Sequence, residues 1–309
     1  MHVLIAIDGS ASGFDAARQA GAVLNAEKDE ATLFYSVPRI HVESDSPSDP
    51  AALSKGSEAL AAAVFDEAKK YLPPALAARA HTILGNKDPR HAIVAAADQA
   101  KADMIAMGAR GLSPITSLLL GSVSRSVVNT SRLPVFVARK RKDSVESDEL
   151  RVLIAYDGSR LGQVILDLVR ALSWPPSTKG RTIAVVAGMF PGEIPKWLKE
   201  RARSPEIEEM TRVWVEQHEA EVRKMREQLS QYCKTLPRPF QDDAVAVEGH
   251  PAERILEEIE RLKIDLVLMG TEKRSPWGTL LMGSTSDAVL QHAECSVLLA
   301  REQPAPYSA

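Results

Sequence analysis

The chain has 309 residues, of which 45% are hydrophobic, and a formal net charge of −3 at pH 7. This balance lacks the excess of Lys and Arg that binding to nucleic-acid phosphates requires, so no nucleic-acid partner is expected. The two cysteines, Cys233 and Cys295, show no Cys-x-x-Cys spacing, which argues against a disulfide framework or structural zinc. No apolar run approaches the roughly 20 residues of a membrane span, and Asp8 interrupts the first one. We expect a soluble cytoplasmic protein without a membrane partner.

Strand-like and helix-like segments alternate along the first half. His2–Ile7 is almost continuously apolar, as in a strand covered on both faces, and Ser10 is a candidate N-cap for the helix that follows. The further predicted elements, in chain order, are a strand over Thr32–Val37, a loop over Pro38–Pro50, an alanine-rich helix ending before Pro73, a strand near Ala80–Leu84, a helix from Pro89, a strand before Gly108, a helix from about Ser122 and a strand over Pro134–Ala138. Such alternation predicts right-handed crossovers and a parallel sheet.

The second half repeats the first. Residues 102–139 align without a gap with residues 264–301, with 14 identities in 38 positions, and Val3–Ser10 is repeated as Val152–Ser159. A repeat of this length indicates a duplicated domain rather than a solenoid unit. We therefore predict an α/β fold of two tandem, doubly wound, Rossmann-like domains.

The polar, charged stretch between the repeats is typical of an exposed linker. The predicted boundaries are 1–140 for the first domain, 141–150 for the linker and 151–302 for the second domain. The second half adds a long predicted helix over Ile207–Tyr232, between strands predicted at Ile183–Ala187 and Ala244–Glu248. Its apolar side either packs on its own domain or binds a partner protein, and the sequence leaves both interpretations open.

A glycine-rich segment follows the fourth predicted strand of the first half. Gly108 and Gly111 precede Gly121-Ser122, where a helical pattern begins. Glycines at such a junction let backbone N–H groups approach an anion closely, and the start of a helix adds its positive end. Asp8 ends the first strand, and ligands of such sheets bind where the strand order reverses. If the first and fourth strands are neighbours, both motifs face one crevice, and a nucleotide polyphosphate is the first ligand to consider.

These motifs together resemble the universal stress protein family. Val3–Ser10 is similar to the family's first strand and aspartate, Asp103–Gly108 to its fourth strand, and Gly-x2-Gly-x9-Gly-Ser to its nucleotide motif. The likeness covers nearly the whole chain, twice, as in a tandem member. It implies a five-stranded parallel sheet in each domain, with an adenine nucleotide alpha hydrolase-like fold, and ATP as ligand where the glycine motif is kept. It also implies pairing of the two halves through their last strands, an intramolecular pseudo-dimer.

The resemblance further implies the roles of individual residues. In the first half, the residues implied to bind the phosphates are Gly108, Gly111, Gly121, Ser122 and Val123, with Ser124 as a further hydroxyl. Asp8 is implied to contact the ribose or base, and Val37 to offer backbone groups to adenine. The corresponding residues kept in the second half are Asp157, Gly270, Gly283 and Ser284.

Lys273 replaces Gly111 in the second half. A lysine there would be strained if the loop requires a positive φ, and its side chain would fill the phosphate space. Alternatively, its ammonium group binds a phosphate. We expect ATP, with or without Mg²⁺, to bind mainly to the first domain.

Together with the resemblance, the residues predict an ATP-binding regulatory or stress-response protein rather than a dedicated enzyme. No placed nucleophile, partnered general base or carboxylate pair for magnesium accompanies the loop, and the seven histidines show no metal-ligand spacing. We therefore assign no catalytic and no metal-ligating residue. A slow ATP hydrolase or nucleotidyl-transferase on the same scaffold is one open alternative, and a nucleotide-free interaction module is another. A homodimer beyond the tandem pair is also open.

Overall fold

The computed structural model describes residues 1–37, 50–111, 120–140, 149–188, 205–271 and 282–301, with only the backbone described at 50–52, 205 and 206. The elements of the first half are β1 (His2–Ile7), α1 (Ala11–Ala22), β2 (Glu30–Ser36), α2 (Pro50–Lys69), α3 (Pro74–Arg79), β3 (His81–Gly85), α4 (Pro89–Gln99), β4 (Met104–Gly108), α5 (Ser122–Thr130) and β5 (Val135–Ala138). The elements of the second half are β6 (Arg151–Tyr156), α6 (Leu161–Ala171), β7 (Lys179–Val186), α7 (Pro205–Thr235), β8 (Ala244–Glu248), α8 (Pro251–Leu262), β9 (Leu266–Gly270), α9 (Ser284–His292) and β10 (Ser296–Ala300).

The described strands form one ten-stranded sheet in the order β3-β2-β1-β4-β5-β10-β9-β6-β7-β8. Each half contributes five parallel strands, whose order reverses between its first and fourth strands. The last strands of the halves, β5 and β10, pair antiparallel, with Val137 opposite Val297. The predicted α/β class with two tandem doubly wound halves is therefore confirmed. Most of the predicted linker lies outside the described residues.

The turn after the first strand explains how the first helix begins. Gly9 has a φ of +79°, a conformation that glycine adopts without steric cost, and Gly158 repeats it in the second half at +75°. Ser10 then caps α1, because its side chain accepts a hydrogen bond from the Gly13 N–H. α3 was not predicted: Pro73-Pro74 ends one helical segment, but Pro74 also occupies the first turn of the next.

Apolar side chains cover both faces of the sheet, as the near-continuous hydrophobic strands predict. One buried cluster lies under α1, α2, α6 and α7, and the other lies under α4, α5, α8 and α9. Each cluster extends across the junction of the halves, since Phe136 and Leu298 belong to the first and Val137 and Val297 to the second. The halves therefore share a continuous core.

Two equivalent arginines join the halves, since each donates hydrogen bonds to the end of a helix in the other half. Arg139 donates to the carbonyl oxygens of Leu290 (2.6 Å) and Ala293 (3.0 Å), at the end of α9. Arg301 donates to the carbonyls of Val128 and Ser131, at the end of α5. Each guanidinium thereby satisfies carbonyls that a helix end leaves without partners. Burial lowers the pKa of both arginines to about 10.

The C-terminal half of α7 packs on its own domain. Tyr232 stacks on Tyr156 with ring centroids 4.3 Å apart, and its hydroxyl donates to the Gly162 carbonyl oxygen at 3.0 Å. The packing interpretation of the long helix is thus confirmed for this part. Near the other end, Met210 and Val215 are 40% and 43% exposed. No helix among the described residues combines the length and the apolar character needed to cross a membrane.

Candidate functional site

The sheet brings the two first-half motifs together. β1 and β4 are parallel neighbours, with Val3 beside Met104 and Ala6 beside Met107. Asp8 and Gly108 therefore lie at the same carboxyl edge, and the strand order reverses there. The adjacency on which the shared crevice depends, which the sequence could not establish, is present.

The Asp8 carboxylate is fixed by the turn that follows it. Its Oδ1 accepts hydrogen bonds from the Ser10 N–H (3.0 Å) and hydroxyl (2.5 Å). Its Oδ2 faces Gly111 so closely that a Cβ on Gly111 would collide with it. Burial raises the pKa of Tyr35, and the nearby Asp8 charge raises it further. Asp8 thus lies directly beneath the end of the glycine loop with its carboxylate orientation set.

Gly108 and Gly111 are required for packing that their spacing does not reveal. A Cβ on Gly108 would collide with the backbone and hydroxyl of Ser12, so this glycine lets β4 approach the start of α1. Gly111 does not have a positive φ. The condition under which Lys273 would be strained is therefore not met at the equivalent first-half position, and Lys273 itself lies outside the described residues.

The start of α5 lies against the segment that follows β4. Gly121, its N-cap, has no side-chain capping bond, and the first turn carries no acidic residue. The Gly121 N–H donates to the Ala109 carbonyl oxygen at 2.9 Å, which closes the loop onto the helix. Ser122 is exposed and Val123 is half-buried. The first backbone N–H groups of α5 thus form an electropositive helix start of the kind that binds anions.

Polar groups of two predicted site residues already form hydrogen bonds within the protein. The Ser124 hydroxyl is buried and donates to the Gly108 carbonyl oxygen at 2.8 Å, so it links β4 to α5 rather than facing the crevice. The Val37 N–H donates to the Gly85 carbonyl oxygen at 3.1 Å, which removes it as a donor to adenine. Both residues stay predictions as nucleotide contacts; the Ser124 hydroxyl links β4 to α5, and the Val37 N–H extends the β2–β3 ladder.

The second half brings its four retained residues to one cavity of about 290 Å³. Asp157, Gly270, Gly283 and Ser284 all line it. Asp157 Oδ1 accepts from the Ser159 N–H at 2.9 Å, as Asp8 does from Ser10. The lining residues that sequence reasoning missed are Ala155, Tyr156, Leu161, Ile165, Ile183, Val185, Pro251, Ile255, Met269, Thr285 and Ser286. Those that directly precede Asp157 and Gly270 were recognisable from the strand ends, whereas those from α6 and β7 depend on tertiary packing.

A smaller cavity of about 230 Å³ lies behind the first-half loop, at the junction of the halves. Arg110, Arg139 and Lys140 line it together with Asp15 and Glu294, so its charges are mixed. Within the described ranges, no cluster of three or more His, Cys, Asp or Glu side chains is arranged to hold a metal ion.

The fold and these crevices define a class of α/β protein with a nucleotide-binding-like architecture. The family model described as the universal stress protein family matches residues 1–139 and 197–301. The chain therefore belongs to the universal stress protein family, and the resemblance seen in its sequence is confirmed.

Relatives match both one half and the whole chain. A universal stress protein of Thermus aquaticus is 33% identical over 150 residues, which cover 48% of this chain and 97% of that protein. A universal stress protein of Mycolicibacterium smegmatis is 24% identical over 302 residues, 97% of this chain and 96% of the relative. The crystal structure of a universal stress protein from Archaeoglobus fulgidus shares the fold, with a TM-score of 0.63 and 22% identity over 97% of this chain and 98% of that one.

Proposed function

We propose that this universal stress protein is an ATP-binding regulatory protein of the stress response, whose nucleotide binds mainly in the first-half crevice. The observation that carries the proposal is the meeting of Asp8, the glycine loop and the uncapped start of α5 at the point where the strand order reverses. The carboxylate suits the ribose hydroxyls of a nucleotide, and the electropositive start of the helix beside it suits the phosphates.

The phosphates would bind at the loop and at the first turn of α5. A Cβ on Gly121 would lie 3.4 Å from the Ala109 carbonyl oxygen, an ordinary contact, so packing against the described residues does not itself require a glycine there. We infer that glycine is needed at this position for close approach of a phosphate to the N–H groups of Ser122 and Val123. Arg125 adds a positive charge in the first turns of the same helix.

The remaining groups orient the nucleotide. Asp8 would accept hydrogen bonds from ribose hydroxyls, because an ionised carboxylate only accepts. Ser124 would hold the loop against α5 through its bond to Gly108. Mg²⁺, if it accompanies the nucleotide, would be held by phosphate oxygens and water.

The side chains beside the phosphate-binding loop favour binding of ATP without rapid hydrolysis. The Ser124 hydroxyl is committed to the Gly108 carbonyl oxygen and lies buried. Among the described residues, the Ser10 hydroxyl donates to Asp8 Oδ1 at 2.5 Å, but it also accepts the Gly13 N–H as the cap of α1, so this pair holds the start of the helix rather than presenting a nucleophile. The rival, a nucleotide hydrolase or transferase, would show turnover with MgATP of about 1 per second or more. We expect a rate far below this.

The exposed apolar residues of α7 favour the second rival, an interaction module that holds no nucleotide. Measuring the nucleotide content of the purified protein separates the two. The full chain is denatured in acid and the supernatant is analysed by anion-exchange chromatography, after which nucleotide-free protein is titrated calorimetrically with ATP. We expect about one adenine nucleotide per chain, or saturable binding of ATP to the stripped protein. A protein that is purified empty and gives no binding heat would contradict the proposal.

A further inference from the structure

The cavity of the second half has apolar walls and one polar end. Its volume of about 290 Å³ lies just below the usual range for small-molecule sites, about 300–1,000 Å³. Leu161, Ile183 and Val185 are among its aliphatic walls. The Asp157 carboxylate and the hydroxyls of Ser284 and Thr285 form the polar end. Within the described residues, no cationic side chain lines this cavity.

The equivalent first-half positions are more polar. Residues 155–161 correspond to residues 6–12, so Leu161 stands where Ser12 stands. Strand register pairs Ala6 with Phe34 and Ala155 with Ile183, which places Val185 at the position of Ser36. Two hydroxyl side chains of the first half, those of Ser12 and Ser36, are thus replaced by aliphatic ones in the second, although the Ser36 hydroxyl already donates to the Lys87 carbonyl oxygen at 2.6 Å. The second crevice therefore offers a ligand less hydrogen bonding along its walls and more apolar contact.

The helix that would seat a phosphate has reversed its charge. Asp287 in the first turn of α9 takes the place of Arg125 in α5. An acidic residue there satisfies the positive helix end and repels an anion. Along the whole loop, residues 108–125 carry two bases, Arg110 and Arg125, and no acid, whereas residues 270–287 carry two bases and two acids. The net charge of this segment thus falls from +2 to zero.

We propose that the second crevice binds an uncharged nucleoside, with adenosine as the simplest form, and discriminates against its phosphorylated derivatives. The choice of a nucleoside rests on the nucleotide function proposed for the first crevice. The base would lie between the aliphatic walls, and ribose hydroxyls would donate to Asp157, which the Ser159 N–H holds in place. Tyr156, which also lines the cavity, stacks its ring on Tyr232 of α7. The two halves would then bind two different ligands.

The first test needs no variant. The full-length protein is saturated with ATP and titrated calorimetrically with adenosine. We expect one adenosine to bind per chain in the presence of saturating ATP. Complete loss of the adenosine signal under ATP, or two ATP molecules bound per wild-type chain, would overturn the inference.

Variants then locate the nucleoside. Ala155→Leu places its added atoms in the second cavity and should weaken adenosine binding at least tenfold while changing ATP affinity less than twofold. Asp287→Arg should raise ATP stoichiometry from one to two, whereas the matched Arg125→Asp should weaken ATP binding and spare adenosine. Adenosine affinity unchanged in Ala155→Leu, confirmed as folded by circular dichroism, would overturn the inference. Adenosine binding that depends on Ala155 in a protein that binds no ATP would support this inference and refute the proposed function.

Discussion

A valine at Gly121 tests the first-half phosphate seat without disturbing the fold. The backbone there has a φ of −63°, which any residue adopts, and the nearest atom to an added Cβ is the Ala109 carbonyl oxygen at 3.4 Å. The side chain would instead occupy the space in front of the α5 N–H groups. A charge-assisted hydrogen bond contributes about 1.5–3 kcal/mol. Losing one such bond to a phosphate lowers ATP affinity by about 10- to 150-fold.

Gly283→Val is the matched control, because Gly283 caps α9 in the same conformation and, among the described residues, its added Cβ would meet the Ser286 hydroxyl alone, at 3.5 Å. Calorimetric titration with ATP should show the full loss in Gly121→Val and less than a twofold change in Gly283→Val. Thermal unfolding should show both variants folded. Equal ATP affinity in the wild type and in a folded Gly121→Val protein would refute the phosphate seat.

Three further substitutions test the supporting structure. Ser124→Ala leaves the buried Gly108 carbonyl without its donor and should lower the free energy of unfolding by about 1–3 kcal/mol in urea titrations; a loss below about 0.5 kcal/mol would show that the link is unimportant. Burial raises the pKa of the Tyr232 hydroxyl in the folded protein. The stability that this neutral hydroxyl contributes is therefore fully present below the ordinary tyrosine pKa near 10, and it is lost as the pH rises through the pKa of the folded state. Tyr232→Phe should lower the free energy of unfolding by about 1 kcal/mol at pH 8. Between pH 10 and 12 the stability of this variant should fall less steeply than that of the wild type; parallel curves of stability against pH would show that Tyr232 is not the cause of the decline. Arg301→Met removes both donors to the end of α5 and should lower the free energy of unfolding by at least about 2 kcal/mol, and an unchanged urea midpoint would contradict the capping role.

The order of elements was predictable because local patterns determine it. The apolar run before Asp8 and the capping serine after it gave β1 and α1 almost to the residue. The duplicated segments likewise predicted two equivalent domains. Pro73-Pro74 misled the prediction because proline is compatible with both the end of one helix and the first turn of the next.

The site was only partly predictable, because several of its residues act through contacts between distant segments. Gly108 has the spacing of a phosphate-binding glycine, but it is also required where β4 approaches Ser12. Ser124 has the position of a ligand hydroxyl, but its partner is a carbonyl sixteen residues earlier in the chain. The aliphatic walls of the second cavity come from α6 and β7, whose packing against β9 no local pattern indicates. The sequence therefore predicted which strand and helix ends come together, but not which side chains face a ligand there.

A crystal structure of the full chain grown with excess ATP and MgCl₂ tests the central proposal most directly. We predict a triphosphate against Gly111 and the N–H groups that begin α5, with the ribose at Asp8. Density for ATP outside this crevice, or a first-half crevice filled by the protein's own side chains at saturating ATP, would contradict the proposal.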